Sequence, residues 1–272
     1  MVVICGDCIE ELTRLKNESI DLVVIDPPYN KNKGFANDNL SESKFYNFTR
    51  EWFFVLYAKM KKTASFYCFI NEDNIITFKS IFDKLLCFKR ILIWHFEQSY
   101  AHFPKNYINR TEYILFYTKS DDYTFNDVFH EKPSISTIKR WSNSVDKDGN
   151  IPYEKLMPSL RERYKKENYD KNPINIYRGA KKSNVFVEHR PRMKQRETIN
   201  HETQKPEELI MKLILISSNE NDVVLDCFSG SGTTLVAAKK CKRKYIGIEI
   251  NKEYCKKITE RLQKTHVTKS MF

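Results

Sequence analysis

The segment DPPY, Asp26 to Tyr29, brings a carboxylate, two rigid residues and an aromatic ring together at one point of the chain. It follows the apolar letters LVVI, which predict a buried strand that ends at Asp26. Because proline fixes its own φ angle and restricts the preceding residue, Pro27 and Pro28 stop the strand and stiffen the turn. A carboxylate held in this way can accept hydrogen bonds from a ligand, while Tyr29 offers a flat surface for stacking.

A second segment with ligand-binding character is VLDCFSGSGTT, residues 224–234. A predicted strand ends at Asp226, a glycine turn follows, and a helix opens at Thr233. Glycine allows a positive φ and lets the backbone approach a ligand, and the start of a helix offers free N–H groups to an anion. The next predicted strand, YIGIEI, ends near Glu249, where an acid is placed to bind ribose hydroxyls.

This pattern differs from two known nucleotide signatures. A GxGxxG fingerprint would need glycine at position 235, where Leu235 stands, and the Gly-Lys-Ser/Thr of a phosphate-binding loop does not follow the turn. A glycine turn with a ribose-binding acid therefore indicates a nucleoside ligand without a pyrophosphate. S-adenosylmethionine fits, because it carries adenosine and an α-ammonium group that could pair with Asp226.

Strands and helices alternate in two blocks that hold these segments. Apolar runs of strand length, such as MVVIC, ASFYCFI and KYIGIEI, are separated by stretches with helical spacing. The longest such stretch, SKFYNFTREWFFVLYAKMKK, has Ser41 or Ser43 as its candidate N-cap, and Pro206 suits the first turn of a later helix. The alternation predicts an α/β domain with a parallel sheet covered by helices on both faces.

Between the two blocks lies a polar, basic and weakly periodic stretch that nevertheless contains many aromatic residues. From Glu131 to Asn200 there are 17 Lys/Arg and 9 Asp/Glu, a local excess of +8 in a chain of net charge +11. A basic excess of this size favours a polyanion such as nucleic acid as partner, although a solvated lysine-rich surface gives the same count. We expect a folded but irregular insert.

Composition excludes several other classes of protein. No apolar run reaches the roughly 18 residues of a membrane span, and the N-terminal letters MVVICGDC lack the character of a signal peptide. We therefore expect a cytoplasmic protein without membrane contact. The seven scattered cysteines fit reduced core residues. Cys5 and Cys8 spell CxxC, but a zinc site would need a second pair, so we expect no metal.

Three motifs together resemble those of DNA amino-methyltransferases: DPPYN at 26–30, HETQKPEELI at 201–210 and VLDCFSGSGTT at 224–234. Their order, catalytic half first and cofactor half last, resembles the β group, in which the usual arrangement is circularly permuted. The resemblance implies a doubly wound, Rossmann-like and mostly parallel seven-stranded sheet with one reversed strand. It also implies a division into a catalytic half (1–120), an inserted target recognition region (121–198) and a cofactor-binding half (199–272).

The resemblance further implies which residues act. The catalytic motif comprises Asp26, Pro27, Pro28 and Tyr29. Residues expected to hold S-adenosylmethionine are Asp7, Asp26, Thr203, Lys205, Asp226, Phe228, Gly230, Gly232, Thr233 and Glu249. Two of these have alternatives, since Asp7 could instead cap the helix that follows it, and Lys205 could be a solvated lysine.

The chemistry implied is methylation of an exocyclic amine on a base flipped out of double-stranded DNA. Asp26 and the Pro27 carbonyl would accept the two amine N–H groups, which aims the nitrogen lone pair at the methyl donor. An aspartate at the first motif position favours adenine N6 over cytosine N4, although both amines need the same acceptors. A C5-cytosine enzyme is disfavoured, since that chemistry needs a cysteine nucleophile, typically after proline, and the sequence has no Pro-Cys.

The basic insert is expected to contact DNA, with phosphate contacts that make binding sensitive to salt. Candidate residues are Arg140, Trp141, Arg161, Arg163, Arg178, Lys181 and Lys182. The loop NKNKGFANDNL is either a lid over the flipped base or an ordinary surface loop. A cognate restriction endonuclease and a homodimer are further expectations of the resemblance. The remaining alternatives are a catalytically silent DNA-binding module, and a nicotinamide-dependent oxidoreductase, which Leu235 disfavours.

Overall fold

The structure is a computed structural model, described here for residues 1–32, 37–96, 105, 107–128, 130–131, 180–181, 183–189 and 204–267. The chain divides into two compact units, Met1–Asn126 with Asn184–Phe272, and Asp127–Ser183. Most of the predicted target recognition region, 121–198, lies outside the described residues. The three-part division of the chain therefore stays a prediction.

Strands and helices alternate in the first and last parts of the described chain, and five strands follow one another between them. The strands are β1 Val2–Cys5, β2 Ile20–Ile25, β3 Met60–Ile70, β4 Cys87–His95, β5 Thr111–Thr118, β6 His130–Glu131, β7 Ala180–Lys181, β8 Val185–Val187, β9 Val223–Asp226 and β10 Lys244–Glu249. The helices are α1 Cys8–Arg14, α2 Glu42–Lys59, α3 Ile75–Phe82, α4 Glu207–Ser217, α5 Thr233–Lys240 and α6 Lys252–Lys264, and a 3-10 turn covers Glu72–Asn74.

The main sheet has the strand order β1-β10-β9-β2-β3-β5-β4-β8. Strand β5 is antiparallel to both of its neighbours, and the other pairings are parallel, which confirms a mostly parallel sheet with one reversed strand. The prediction of seven strands was wrong, because β8 adds an eighth beside β4. Strand β8 has only three residues, Val185–Val187, too few to show a period in the sequence.

The two sequence blocks meet in the middle of the sheet. Strand β9, from the second block, pairs with β2 of the first, with Val23 opposite Leu225, and β10 pairs with β1. The two halves, which are distant in sequence, are therefore neighbours in the sheet. The circular permutation that would explain this order stays a prediction.

Helices cover both faces of the main sheet. Alternate residues of the central strands point to opposite faces, as the two-residue period of a strand requires. In β3, Phe66 and Cys68 belong to the core cluster with α1, α2 and α3, whereas Tyr67 and Phe69 belong to the cluster with α4 and α5. This double cover explains why the central strands read as continuous apolar runs.

Element ends differ from the sequence pattern at several positions. Helix α2 ends at Lys59 because Met60 already belongs to β3, and the Lys59 ammonium donates to the carbonyls of Thr13 and Leu15 at the end of α1. Ser41 is the N-cap residue of α2, but its side chain makes no capping hydrogen bond. Pro206 is the N-cap of α4 and so lies just before the first turn.

Candidate active site

A crevice of about 640 Å³ opens at the carboxyl ends of the central strands. Its lining includes the acids that follow or end four of these strands: Asp7 after β1, Asp26 after β2, Asp226 on β9 and Glu249 on β10. Ligands of open α/β sheets bind at this edge. The four acids that the sequence placed at strand ends thus share one crevice.

The Asp26 carboxylate is held by two side chains. Its Oδ1 accepts a hydrogen bond from the Tyr29 hydroxyl, and its Oδ2 lies 2.7 Å from the Nζ of Lys205. The turn itself is anchored by Asn74, whose amide donates to the Tyr29 carbonyl at 2.7 Å. Burial, together with the nearby Asp26 charge, raises the pKa of Tyr29 well above its usual value, so the phenol stays a neutral donor.

Lys205 lies deeper than a solvated lysine, with only 7% of its side chain exposed. Besides Asp26, its ammonium forms an ion pair with Glu112 at 3.2 Å. Burial alone would lower the pKa of Lys205, but the carboxylates of Asp26 and Glu112 outweigh that effect and raise it. The ammonium is therefore positioned on the catalytic motif, and contact with a cofactor carboxylate stays a prediction.

The glycine turn after β9 depends on left-handed backbone. Gly230 has φ 47° and Gly232 has φ 75°. A Cβ on Gly232 would also lie 2.9 Å from the side chain of Ile258, so glycine satisfies two constraints there. The turn directs the Gly230 amide to Glu249 Oε2 at 2.7 Å.

Glu249 and Asp226 are buried carboxylates that accept hydrogen bonds from backbone amides. Glu249 Oε1 accepts from the Asn251 amide at 2.9 Å, and Asp226 Oδ1 accepts from the Phe228 amide at 3.0 Å. Burial raises the pKa of both groups despite these bonds, and that of Asp226 reaches about 7. A cation that binds beside Asp226 would relieve this desolvation.

Asp7 caps helix α1. Its Oδ1 accepts from the amides of Ile9 at 2.9 Å and Glu10 at 3.2 Å, which confirms the capping alternative. Asp7 also lines the crevice, so a contact with adenine stays a prediction. Phe228 packs edge-on against Trp52, with ring centroids 5.3 Å apart.

Other predicted residues lie partly or wholly outside the described residues. These are Thr203 of the cofactor set and Arg140, Trp141, Arg161, Arg163, Arg178 and Lys182 of the DNA set, while Lys181 is described only as a backbone position of β7. The loop after Tyr29 is closed at its base, where the Asn30 side chain exchanges hydrogen bonds with the backbone of Leu40. Its tip, 33–36, is not described.

Two residues of the site were missed by sequence reasoning, Glu112 and Asn74. Both belong to elements predicted only for their apolar pattern. Glu112 lies at the beginning of β5, whereas the acids sought were at strand ends. Because β5 runs antiparallel, its beginning lies at the carboxyl edge of its neighbours, and the reversed strand was a signal that could have indicated Glu112.

Two searches of the described part of the chain were negative. No group of three or more His, Cys, Asp or Glu side chains there could hold a metal ion. Among the same residues, no helix is long and apolar enough to cross a membrane.

A doubly wound sheet with one reversed strand, a glycine turn after β9 and an acid at the end of β10 define an α/β methyltransferase fold, with a crevice at the carboxyl ends of its parallel strands. The chain belongs to the DNA methylase family, whose model matches residues 20–260. This family uses S-adenosylmethionine as methyl donor. The left-handed glycine turn and the buried Asp226 and Glu249 fit a ligand with a nucleoside and a cationic end.

Curated relatives match most of the chain. They include the DNA adenine methyltransferase YhdJ of Escherichia coli K12, 34% identical over 96% of this chain and 82% of the relative. The Type II methyltransferase M.HpaI of Haemophilus parainfluenzae is 33% identical over 96% of this chain and 73% of the relative. The Type II methyltransferase M1.MboII of Moraxella bovis is 32% identical over 91% of each chain.

Solved structures share the fold at low sequence identity. The complex of M1.HpyAVI with S-adenosylmethionine aligns with a TM-score of 0.60 at 22% identity, covering 96% of this chain and 98% of the other. The cytosine-N4-specific PvuII DNA methyltransferase aligns with a TM-score of 0.66 at 16% identity, covering 98% and 87%. The fold is thus shared by proteins that have only 16–22% sequence identity with this chain.

Proposed function

We propose that this DNA methylase transfers the methyl group of S-adenosylmethionine to the exocyclic N6 of adenine in a specific sequence of double-stranded DNA. The observation that carries the proposal is that Asp26 and Tyr29 line the same crevice as Asp226 and Glu249. An acceptor for an amine and a nucleoside pocket are therefore adjacent. The name of the relative YhdJ, a DNA adenine methyltransferase, supports adenine as the base.

The residues of the catalytic motif prepare the amine. An exocyclic amine is a poor nucleophile because its lone pair is conjugated with the ring of the base. Asp26 and the Pro27 carbonyl accept its two N–H groups, which draws the nitrogen toward tetrahedral geometry. The Asp26 charge stabilises the positive charge that develops on the nitrogen, and Tyr29 stacks on the flipped base. S-adenosylmethionine supplies the electrophilic methyl group.

The other half of the crevice holds the methyl donor. Asp226 pairs with its ammonium, and Glu249 takes the ribose hydroxyls. Phe228, Gly230, Gly232 and Thr233 shape the methionine side, with backbone N–H groups of the turn directed at the ligand. Asp7 accepts a hydrogen bond from the adenine amino group of the cofactor through the carboxylate oxygen that the helix cap does not use. Thr203 and Lys205 act near the carboxylate end of the cofactor.

Methylation of cytosine N4 is the second candidate. It is favoured by the fold shared with the cytosine-N4-specific PvuII enzyme and by the pair of acceptors, Asp26 and Pro27, which suits either amine. One experiment separates the two. The protein is incubated with radiolabelled S-adenosylmethionine and mixed-sequence DNA, which is then digested to nucleosides. We expect label in N6-methyl-2′-deoxyadenosine, and label in N4-methyl-2′-deoxycytidine would replace the leading proposal by the second.

The proposal also covers the biological system in which the protein works and the partners that it binds. The names of M.HpaI and M1.MboII, both Type II methyltransferases, support a cytoplasmic restriction–modification system with a cognate endonuclease. The insert 121–198 reads the target through its basic residues, and the chain forms a homodimer. Methylome sequencing of a host that expresses the protein gives the base and its recognition sequence together. Light scattering of the purified protein, with a homodimer mass expected, tests the oligomeric state.

A further inference from the structure

Lys205 binds two carboxylates at the carboxyl edge of the sheet. Its Nζ lies 2.7 Å from Asp26 Oδ2 and 3.2 Å from Glu112 Oε2, and neither acid side chain is more than 24% exposed. The aromatic rings of Phe69 and Tyr29 lie 5.4 and 5.7 Å from the same ammonium. The three charged groups therefore interact in a setting with little water, where each charge counts more than in bulk solvent.

The net charge of this group decides what it can do for a methylated amine. Methyl transfer leaves the amine nitrogen positive until it loses a proton, so the site must stabilise a cation. Asp26 and Lys205 alone form a neutral pair, in which the ammonium opposes that cation. Glu112 supplies a second carboxylate to the same ammonium, so the three described side chains together carry a net charge of −1.

We infer that Glu112 is a positioning residue that balances the charge of Lys205 and leaves the charge of Asp26 available to the reacting amine. The inference rests on the proposed function, since it assumes that an amine reacts beside Asp26. Glu112 does not line the crevice in the described part of the chain, so it acts through Lys205. Its place at the beginning of the reversed strand β5 brings its carboxylate to 3.2 Å from the Lys205 ammonium.

The geometry also indicates a role for Lys205 in orienting Asp26. The Tyr29 hydroxyl occupies Asp26 Oδ1 and the ammonium occupies Oδ2, so both oxygens are oriented before a base arrives. An ammonium bound to Asp26 alone would hold Oδ2 tightly and weaken it as an acceptor. Glu112, by sharing the ammonium, lets Asp26 keep its orientation while it accepts an N–H from the base.

The first test is Glu112→Gln, which removes the charge and keeps the size. We expect kcat for DNA methylation to fall about tenfold, while KM for S-adenosylmethionine and its calorimetric Kd change less than about twofold. The matched control is Glu220→Gln, which removes a glutamate from an exposed ion pair with Lys242. This control is expected to keep the wild-type kcat.

The decisive test repeats Glu112→Gln in a Lys205→Met background. If Glu112 works through the lysine charge, the substitution changes kcat less than about twofold once that charge is gone. An equal loss in both backgrounds, or an unchanged kcat in Glu112→Gln beside an active wild type, overturns the inference alone. Absence of methyl transfer by the wild type overturns the proposed function and the inference with it.

Discussion

Asp26 and Glu249 are both carboxylates at the carboxyl edge of one sheet, but they are held by different kinds of donor. Glu249 accepts hydrogen bonds from two backbone amides, those of Gly230 and Asn251. Asp26 is held by two side chains, the Tyr29 hydroxyl and the Lys205 ammonium. Backbone donors are fixed by the fold, whereas side-chain donors can move to a new partner.

The difference fits the two ligands of the proposed function. A methyl donor is the same molecule in every cycle, so a rigid carboxylate suits it. A base flipped out of DNA arrives anew each time, and Asp26 must exchange or share a partner to accept its amine. The cofactor half should therefore be sensitive to changes of the backbone, and the catalytic half to changes of charge.

Removal of the catalytic carboxylate should have the largest effect. We expect Asp26→Ala to lower kcat at least about 1,000-fold, because the amine loses both its acceptor and the charge that stabilises it. The Kd for S-adenosylmethionine, measured by calorimetry, should change only a few-fold. Glu220→Ala, at a side chain 58% exposed, is the control and should be fully active. An active Asp26→Ala would remove Asp26 from the mechanism.

A change of backbone should affect the other half. Gly232→Ala forces a side chain onto a residue with φ 75° and places its Cβ 2.9 Å from Ile258. We expect the free energy of unfolding to fall by about 1–3 kcal/mol and cofactor affinity to fall about tenfold or more. Gly6→Ala is the comparison, because the three atoms nearest to its added Cβ all belong to the Glu11 side chain, which can move, and its φ is not positive. Equal losses in urea unfolding for both variants would contradict the role of the turn.

Cofactor affinity should depend on pH through Asp226, whose pKa is raised by burial to about 7. Below that pH the carboxyl group is neutral and pairs poorly with an ammonium, so we expect Kd to rise several-fold between pH 8 and pH 6. Asp226→Asn should bind more weakly and lose this dependence. Calorimetry at several pH values checks both, and a pH-dependent Asp226→Asn would assign the effect to another group.

The same shift predicts how the stability of the cofactor-free protein varies with pH. Since the folded state raises the pKa of Asp226 from 3.8 to about 7, folding favours the protonated form. This group therefore destabilises the protein progressively as pH rises from about 4 to 7, by no more than about 4 kcal/mol. Asp226→Asn should show a smaller decrease in urea unfolding over that range.

The smallest effect is expected where a neutral group supports the catalytic turn. Asn74 donates to the Tyr29 carbonyl at 2.7 Å, and Asn74→Ala removes that bond without a change of charge. One neutral hydrogen bond contributes about 1 kcal/mol, so kcat should fall no more than about fivefold. A loss as large as that of Asp26→Ala, in the same methylation assay, would mean that the turn depends on Asn74 for its shape.

The sequence predicted the strands and turns of the site better than the contacts between its side chains. Asp26, Asp226 and Glu249 follow from apolar runs that end in an acid, a local pattern that a single strand determines. The ion pair of Lys205 with Asp26 joins residues 179 positions apart, and only the assembled sheet sets that distance. Glu112 was missed for the same reason, since its position beside Lys205 depends on the reversal of β5.

Local competition explains other differences. Asp7 and Ser41 both precede helices, yet only Asp7 makes capping hydrogen bonds, a choice that depends on side-chain rotamers. The pattern around Lys59 continues smoothly from helix into strand, and the pairing of Met60 with Ile20 ends the helix. The sequence could not show which residues contact DNA, because many different arrangements of basic residues in the insert would give the same net charge.

The pairing of β2 with β9 also affects how the protein folds while it is being synthesised. The amide of Val223 donates to the Asp21 carboxylate across 202 residues of sequence. At about 5–20 residues per second, a ribosome needs about 10–40 s to make the intervening chain. During that time β2 has no β9 to pair with. The turn that carries Asp26 is therefore made before the strand that carries Asp226. Assembly of the sheet is therefore expected to be slow, with unpaired strand edges that chaperones would protect until β9 has been synthesised.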